Sequence, residues 1–212
     1  MAQYFSVHPE DPQPRLVRQA VDIIRGGGVV AYPTDSCYAL GCHIGDKAAM
    51  ERIRKIRDVD ERHHFTLVCR DLSEVGQFAK VDNLQFRLIR ANTPGSYTFI
   101  LRASRDVPRR LLTPRHTIGV RIPDHAVAMA LLALLGEPLL SSTLILPAHG
   151  QPLNDPYEIR QRLEHDIDLV IDAGPCNGEV TTVVDLSSDA PRLVREGRGD
   201  IRPFGFVKEA LH

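Results

Sequence analysis

The stretch V-V-A-Y-P-T-D-S-C-Y-A-L-G-C, residues 29–42, carries the strongest signal for the fold of this chain. Its first four residues are apolar and predict a buried strand, which Pro33 breaks. Hydroxyl and carboxylate side chains follow at once, at Thr34, Asp35, Ser36 and Tyr38. Open α/β sheets place their ligands where strands end, so the sequence predicts a ligand site here.

Helical and strand patterns alternate on both sides of this stretch. Residues 14–25 have a helical apolar stripe that ends at the glycines 26–28. A further helix is predicted to begin at the cap Asp46, and another, over 126–135, at the cap Asp124. Helices are also predicted over 71–78, 82–89, 107–112 and 156–164. Further strands are predicted over 65–69, 97–102, 117–122, 139–146, 169–172, 182–186 and 192–195. This order predicts a mixed α/β sheet in one domain, residues 1–212, with a core of about 14–200.

Composition excludes several classes of protein. Hydrophobic residues make up 43% and charged residues 25% of the 212 residues, as in ordinary globular domains. The formal net charge of −1 gives no overall attraction to nucleic acids or membranes, so any basic surface must be local. There is no apolar run of ~18 residues and no secretion signal at the N-terminus. We therefore expect a cytoplasmic protein that does not enter membranes.

The four cysteines lack the spacing of a metal site or a redox pair. They are Cys37, Cys42, Cys69 and Cys176, with no C-x-x-C among them. Reduced, buried thiols are the expected state in a cytosolic protein. A nucleophilic role for Cys37 or Cys42 is the alternative, because both lie in the opening stretch.

Cations cluster around Lys55 and Arg57. Residues two apart point to opposite sides of a helix, so both can serve one site only where the helix ends. A lysine point charge and an arginine fork suit a polyphosphate. The alternative is that these cations only compensate the dipole at the helix C-terminus. The run also includes Arg52, Arg54 and Arg62, and it is followed by His63 and His64.

Polar residues also interrupt apolar strands. Arg121 lies between Val120 and Ile122, where an arginine needs an anionic ligand or a structural carboxylate. The hydroxyl groups of residues 141–143 need hydrogen-bond partners from backbone, water or ligand. No G-x-S-x-G, P-loop or G-x-G-x-x-G motif occurs.

Taken in order, these segments resemble the YrdC-like threonylcarbamoyl-AMP synthase family, most closely its YciO branch. The resemblance covers about residues 14–200. Residues 33–41 are similar to P-T-[ED]-[TS]-x-Y-[GA]-L-G, 55–57 to K-x-R, 93–98 to P-G-P-x-T with Ser96 for the second proline, 119–123 to V-R-x-P, 181–185 to S-T-V-V-D with Thr181 for serine, and 194–197 to L-R-x-G.

The resemblance implies a twisted open α/β sheet with a basic concave face. It also implies synthesis of threonylcarbamoyl adenylate from L-threonine, bicarbonate and ATP, with Mg²⁺ expected on the triphosphate, for modification of tRNA adenosine 37. Thr34, Ser36 and Tyr38 are then expected to contact the amino acid. The resemblance implies that Lys55, Arg57, Arg121 and Arg195 hold the phosphates and carboxylates of the ligands. Lys55 and Arg57 are the candidate catalytic residues. The hydroxyl groups of Ser142 and Thr181 are expected to contact the ligands as well.

Two positions depart from the family pattern. Residues 142–144 lack the asparagine of its S-x-N element, and Val68 stands where the family has a histidine. Ligand binding is therefore a safer expectation than the synthase reaction, and His63 or His64 is an alternative source of an imidazole. A second function is binding of double-stranded RNA or tRNA without synthase activity, and a third is a small-molecule sensor. The RNA surface would use Arg52, Arg54, Lys55, Arg57, Arg109, Arg110, Arg115 and Arg121.

Overall fold

A computed structural model describes residues 1–60, 63–147 and 150–207. Its strands are β1 (Gln3–Ser6), β2 (Val30–Tyr32), β3 (Ala39–His43), β4 (Thr66–Val68), β5 (Ala79–Lys80), β6 (Tyr97–Ala103), β7 (Thr117–Arg121), β8 (Leu139–Thr143), β9 (Leu169–Asp172), β10 (Thr182–Asp185) and β11 (Arg192–Arg195). Its helices are α1 (Pro14–Arg25), α2 (Lys47–Arg57), α3 (Leu72–Phe78), α4 (Asn83–Asn92), α5 (Ala126–Leu135) and α6 (Pro156–Leu163). Single 3₁₀ turns span Arg109–Leu111 and Arg202–Phe204.

All the strands described join one mixed sheet, which confirms the predicted fold class. Ten of them run in the order β1-β9-β2-β3-β8-β4-β7-β6-β10-β11, and β5 pairs with β6 beside this path. The β1–β9, β9–β2, β4–β7 and β6–β10 pairs are parallel. In the middle, β8 is antiparallel to both β3 and β4. The sheet is open, with β1 and β11 at its two edges.

The core lies in two layers, one on each face of the sheet. Successive residues alternate between them, as they must in a strand: Val30 and Ala39 belong to one layer, Ala31 and Leu40 to the other. The first layer is built from α1 and α5. The second and larger layer receives side chains from α2, α3, α4 and α6. Both faces are therefore apolar, which explains why the strand patterns are continuous apolar runs rather than simple alternations.

Helix starts follow the predicted capping chemistry except at α5. The carboxylate of Asp46 accepts a hydrogen bond from the backbone of Ala49, which confirms it as the cap of α2. Asp124 was predicted to cap α5, but His125 takes this position and accepts from the N–H of Val127. Asp124 lies one residue before the cap, and its backbone N–H donates to the Asp35 carboxylate.

Other differences concern short or weakly periodic segments. The predicted helix over 107–112 is a single 3₁₀ turn, Arg109–Leu111, because Pro108 has an extended backbone. The strand predicted over 139–146 ends at Thr143. Strands β1, β3 and β5 were not predicted.

Every helix in the described part of the chain is too short or too polar to span a bilayer.

Candidate functional site

A cavity of about 450 Å³ lies over the part of the sheet formed by β4, β6, β7 and β10. Thr66 lines it, and Val68, two residues further along β4, packs under α1 and α5. The part of the cavity floor formed by β4 is therefore on the same face as these two helices, because alternate residues share a face, whereas Ser142, two residues after Leu140, lies on the face that carries α2. Thr98 and Ile100 of β6 and Val183 of β10 extend its floor. The helices cover one half of this face and leave the other half open to a ligand.

Arg57 enters the cavity from the end of α2. The helix stops there because Asp58 adopts a left-handed backbone conformation with φ of 49°. The Nη1 group of Arg57 donates to Ser142 Oγ and to the carbonyl of Thr143, both at 2.5 Å. Burial lowers the pKa of the Arg57 guanidinium, and the charge of Arg195 lowers it further. The structure thus brings Arg57 and Ser142, both candidate site residues, together in this cavity, and their roles in ligand binding stay predictions.

Arg195 reaches the same cavity from β11. Its Nε and Nη2 groups donate to the carbonyl of Thr181 at 3.1 and 3.0 Å, and Nη2 also lies 3.2 Å from Thr181 Oγ1. Thr181 Oγ1 in turn lies 3.0 Å from the hydroxyl of Thr98. Burial and the charge of Arg121 lower the pKa of Arg195. These contacts hold the guanidinium over the floor of the cavity.

Four described arginines line the cavity; Arg192 is paired with Asp185, whereas Arg57 and Arg195 have no carboxylate partner among the described residues. Arg57 and Arg195 donate only to neutral oxygens, and Arg57 Nε is buried without a partner in the described part of the chain. Two half-buried cations that repel one another are stabilised by an anion between them. The arrangement therefore suits a phosphate or a carboxylate.

His63 also lines the cavity, where it contacts Ser142. Its Nε2 lies 2.9 Å from Ser142 Oγ, and its ring packs edge-on against Phe65 with centroids 5.4 Å apart. Burial lowers the pKa of His63 to about 4, and Arg57 lowers it too. A neutral imidazole thus joins the site from the segment before β4, whereas Val68 is buried in the core.

Arg121 does not line the cavity but forms a buried ion pair beside it. Its Nη2 donates to Asp35 Oδ1 at 2.6 Å and lies 3.3 Å from Thr34 Oγ1. The other carboxylate oxygen of Asp35 accepts from Ser96 Oγ at 2.5 Å. The structural carboxylate, one of the two alternatives for Arg121, is present. Ser96, which replaces a proline of the family motif, has a specific role in holding it.

Thr34, Ser36 and Tyr38 are buried and support the loop structure. Thr34 Oγ1 donates to the carbonyl of Cys37 at 2.6 Å and lies 3.1 Å from Ser36 Oγ. The hydroxyl of Tyr38 donates to the carbonyl of Gly174 at 2.9 Å. None of the three lines the described cavity, so their expected contact with an amino acid stays a prediction.

The other predicted cations are scattered. Lys55 is exposed on α2 and is not among the described residues that line the cavity. Arg52 forms a salt bridge with Asp168, and Arg54 with Glu51. Arg62 lies outside the described residues. Lys55 and Arg57 thus point in different directions at the end of α2: Arg57 faces the cavity and Lys55 faces solvent.

The cysteines are packing residues in this structure. Cys37, Cys42 and Cys69 are buried, Cys176 is half-buried, and all four are free thiols. Burial raises the pKa of Cys42 to about 12 and also raises that of Cys37. Both thiols are therefore protonated near neutral pH, which disfavours the nucleophile alternative.

A second, larger cavity of about 1250 Å³ adjoins the first and shares His63 and Phe65 with it. No aspartate or glutamate is found among the described residues that line it. Its basic side chains are Arg54, Lys80, Arg105, Arg109 and Arg110. The described lining of this cavity is therefore rich in basic side chains, although the chain as a whole carries a net charge of −1.

Comparisons with known proteins agree with this architecture. The crystal structure of Escherichia coli YciO is 55% identical, has a TM-score of 0.93, and covers 96% of this chain and 100% of that one. The Sua5 protein of P. abyssi complexed with L-threonine is 26% identical with a TM-score of 0.85, over 92% of this chain and 57% of that chain. The threonylcarbamoyl-AMP synthase of Nitrosococcus oceani is 33% identical over 73% of this chain and 84% of its own length.

The model of the Sua5_yciO_yrdC family, whose description reads "Telomere recombination", matches residues 22–197. That range contains every cavity residue described above, from Arg57 to Arg195. The chain therefore belongs to the Sua5/YciO/YrdC family.

Proposed function

We propose that this chain binds an adenine nucleotide together with an L-threonine-like amino acid and joins them, with bicarbonate, as a carbamoyl adenylate. The observation that carries the proposal is the pair Arg57 and Arg195, which line one cavity without a carboxylate partner among the described residues. A relative named threonylcarbamoyl-AMP synthase and a Sua5 structure complexed with L-threonine support this choice of ligands.

The reaction class suits the residues of the cavity. The amine of threonine and bicarbonate give a carbamate with loss of water, and an oxygen of this carbamate forms a bond to the α-phosphorus of ATP while the bond to the leaving pyrophosphate breaks. Such a transfer needs little covalent help from a protein and depends on cations near the phosphoryl oxygens. Arg57 and Arg195 are the groups that can stabilise this charge. The cavity volume of about 450 Å³ lies within the usual range for small-molecule sites.

Magnesium belongs to this proposal as part of the nucleotide substrate. Proteins hold Mg²⁺ through one or two carboxylates together with substrate phosphates. Asp185, the carboxylate among the described lining residues, is already bound to Arg192 and Ser187. The described residues contain no cluster of three metal-binding side chains. The phosphates and water would therefore supply most of the ligands.

Pyrophosphate release tests the reaction. We expect release that requires ATP, L-threonine and bicarbonate together. Arg57→Gln and Arg195→Gln should each lower the rate by about 100-fold, because each removes a charge that stabilises the transition state. Arg18→Gln, an exposed arginine on α1, is the matched control. An absence of pyrophosphate release at high enzyme concentration would overturn the synthase reaction. Calorimetry then shows whether nucleotide and threonine still bind with synergy.

A second candidate function is binding of double-stranded RNA or tRNA. The larger cavity favours it, because the described residues that line it are rich in basic side chains and include no acidic one. Affinity should fall steeply as salt rises, and the slope should become shallower in an Arg105→Gln/Arg109→Gln variant. Both side chains are exposed, so folding should be unaffected. Affinity that does not depend on salt would contradict this function.

A further inference from the structure

We infer that His63 is a positioning residue for Arg57, acting through the hydroxyl group of Ser142. The inference rests on the proposed function, because it concerns how the same cavity orients its anion-binding arginine. His63 has no bond to Arg57 among the described contacts. Its influence passes through one oxygen atom that both side chains share.

Ser142 Oγ is the meeting point of these two side chains. It lies 2.5 Å from Arg57 Nη1 and 2.9 Å from His63 Nε2. Ser142 itself is buried in β8, where it pairs with Leu40 of β3, and the preceding residue Ser141 pairs with Thr66 of β4. A hydroxyl at the centre of a sheet is a firm anchor for side chains that arrive from loops and helix ends.

The direction of each hydrogen bond follows from the chemistry of the three groups. A guanidinium can only donate, so Ser142 Oγ accepts from Arg57. The remaining hydroxyl proton of Ser142 is then free to donate to Nε2 of a neutral His63. We assign this direction to the bond, which places the proton of His63 on Nδ1. This chain of bonds fixes the Ser142 hydroxyl so that a lone pair faces Arg57.

A neutral imidazole is the form that the surroundings favour. His63 is half-buried, and the cations Arg54 and Arg57 lie on the helix packed against it, with His64 beside it. Asp60 is the acidic group that opposes them. A protonated His63 would instead donate from Nε2 to the second lone pair of the Ser142 oxygen, displace the hydroxyl proton from this bond and place a second cation beside Arg57. A neutral His63 therefore accepts a hydrogen bond from the hydroxyl of Ser142 and leaves Arg57 oriented.

The consequence for Arg57 is that one end of its guanidinium is held in place. Nη1 is engaged by Ser142 and by the carbonyl of Thr143. Nε is buried without a partner in the described part of the chain. A guanidinium that is held at one end loses less conformational freedom when it binds an anion, and that loss is part of the cost of binding.

The test measures AMP binding by calorimetry at pH 7. His63→Ala should weaken AMP binding about tenfold, since a hydrogen-bond network to a charged group is lost. His63→Gln, whose amide oxygen can also accept from Ser142, should stay within about threefold of the parent protein. His165→Ala, an exposed histidine after α6, is the matched control and should not change the affinity. Thermal unfolding of each variant shows that it is folded.

A double-mutant cycle separates positioning from a purely structural role. In an Arg57→Lys background, which keeps the charge but loses the fork, His63→Ala should have an effect of less than about threefold. An equal effect in both backgrounds, or unchanged affinity in His63→Ala, would overturn the positioning role. If Arg57→Gln itself leaves AMP binding unchanged, the proposed anion site fails instead, so the two ideas can be told apart.

Discussion

Asp35 and Arg121 form an ion pair of 2.6 Å in which 11% and 9% of the respective side chains are exposed. Asp35 belongs to the loop after β2, and Arg121 is the last residue of β7. The pair therefore ties two distant strand ends together next to the cavity. Ser96 and the backbone of Asp124 complete the shell of donors around the carboxylate.

Asp35→Asn should strongly destabilise the protein. Removing one partner of a buried pair leaves the other charge uncompensated, which costs about 3–5 kcal/mol. Urea unfolding measures the change in the free energy of unfolding. Asp22→Asn, at an exposed position of α1, is the control and should shift it by less than about 0.5 kcal/mol. Equal stability of Asp35→Asn and the parent would show that the pair contributes nothing.

The same pair predicts how stability depends on acid pH. Burial alone would raise the pKa of Asp35, but the charge of Arg121 and the hydrogen bonds from Ser96 and Arg121 lower it overall. A carboxylate with a lowered pKa stabilises the fold above its unfolded pKa, and this contribution disappears as pH falls through the folded pKa. We expect the parent protein to lose stability below about pH 4, and Asp35→Asn to lose less. Urea unfolding from pH 3 to pH 7 measures both slopes.

Tyr38→Phe tests whether this side chain supports the loop or contacts a ligand. The hydroxyl donates to the carbonyl of Gly174, so its removal should cost about 1–3 kcal/mol of stability. Threonine affinity should change by less than about threefold if the role is structural. Tyr157→Phe, which is 60% exposed, is the control. A loss of threonine affinity with unchanged stability would restore the ligand contact expected from the sequence motif.

Two glycines should respond oppositely to alanine. A Cβ on Gly197 would clash with the carbonyl oxygen of Val180, a backbone atom that cannot easily move, so Gly197→Ala should destabilise. Gly76 lies within α3 and has open space around it, so Gly76→Ala should stabilise by about 0.5–1 kcal/mol. Thermal unfolding compares the two. A Gly197→Ala variant that is as stable as the parent would show that Val180 and Gly197 can move apart to admit the methyl group.

The four thiols should be protected from alkylation. Burial raises the pKa of Cys42 to about 12 and of Cys176 to about 11, so little thiolate exists at pH 8. Iodoacetamide should modify the native protein far more slowly than the protein in urea. Mass spectrometry after digestion identifies each site. Rapid native modification of Cys37 would revive its role as a nucleophile.

Local periodicity explains which elements could be predicted. The stripe of residues 14–25 and the caps Asp46 and Asp82 depend on neighbours within one turn, and the corresponding helices are observed. Strand β1 has four residues and is stabilised by pairing with β9, more than 160 residues later. Strand β3 contains Gly41 and follows the polar loop directly, so nothing local distinguishes it. Their positions depend on the sheet as a whole.

Part of the cavity lining was expected from the family resemblance rather than from local periodicity. The ordered motifs identify Arg57, Ser142, Thr181 and Arg195, and all four line one cavity. The partner of Arg121 could not be chosen from sequence, because Asp35 is 86 residues away and an anionic ligand was an equal alternative. The contact between His63 and Ser142 spans 79 residues, whereas a loop histidine is ordinarily exposed.

The order of the sheet has a consequence for synthesis of the chain. Strand β2 pairs with β9 and strand β6 with β10, so both remain unpaired at one edge until residues 169–185 have been made. Pairing over such sequence distances is slow, and exposed strand edges recruit other chains. A nascent chain that stops before β9 would present two such edges at once. We therefore expect truncated products to aggregate. We also expect the ribosome or a chaperone to shield the exposed strand edges until β10 has paired with β6.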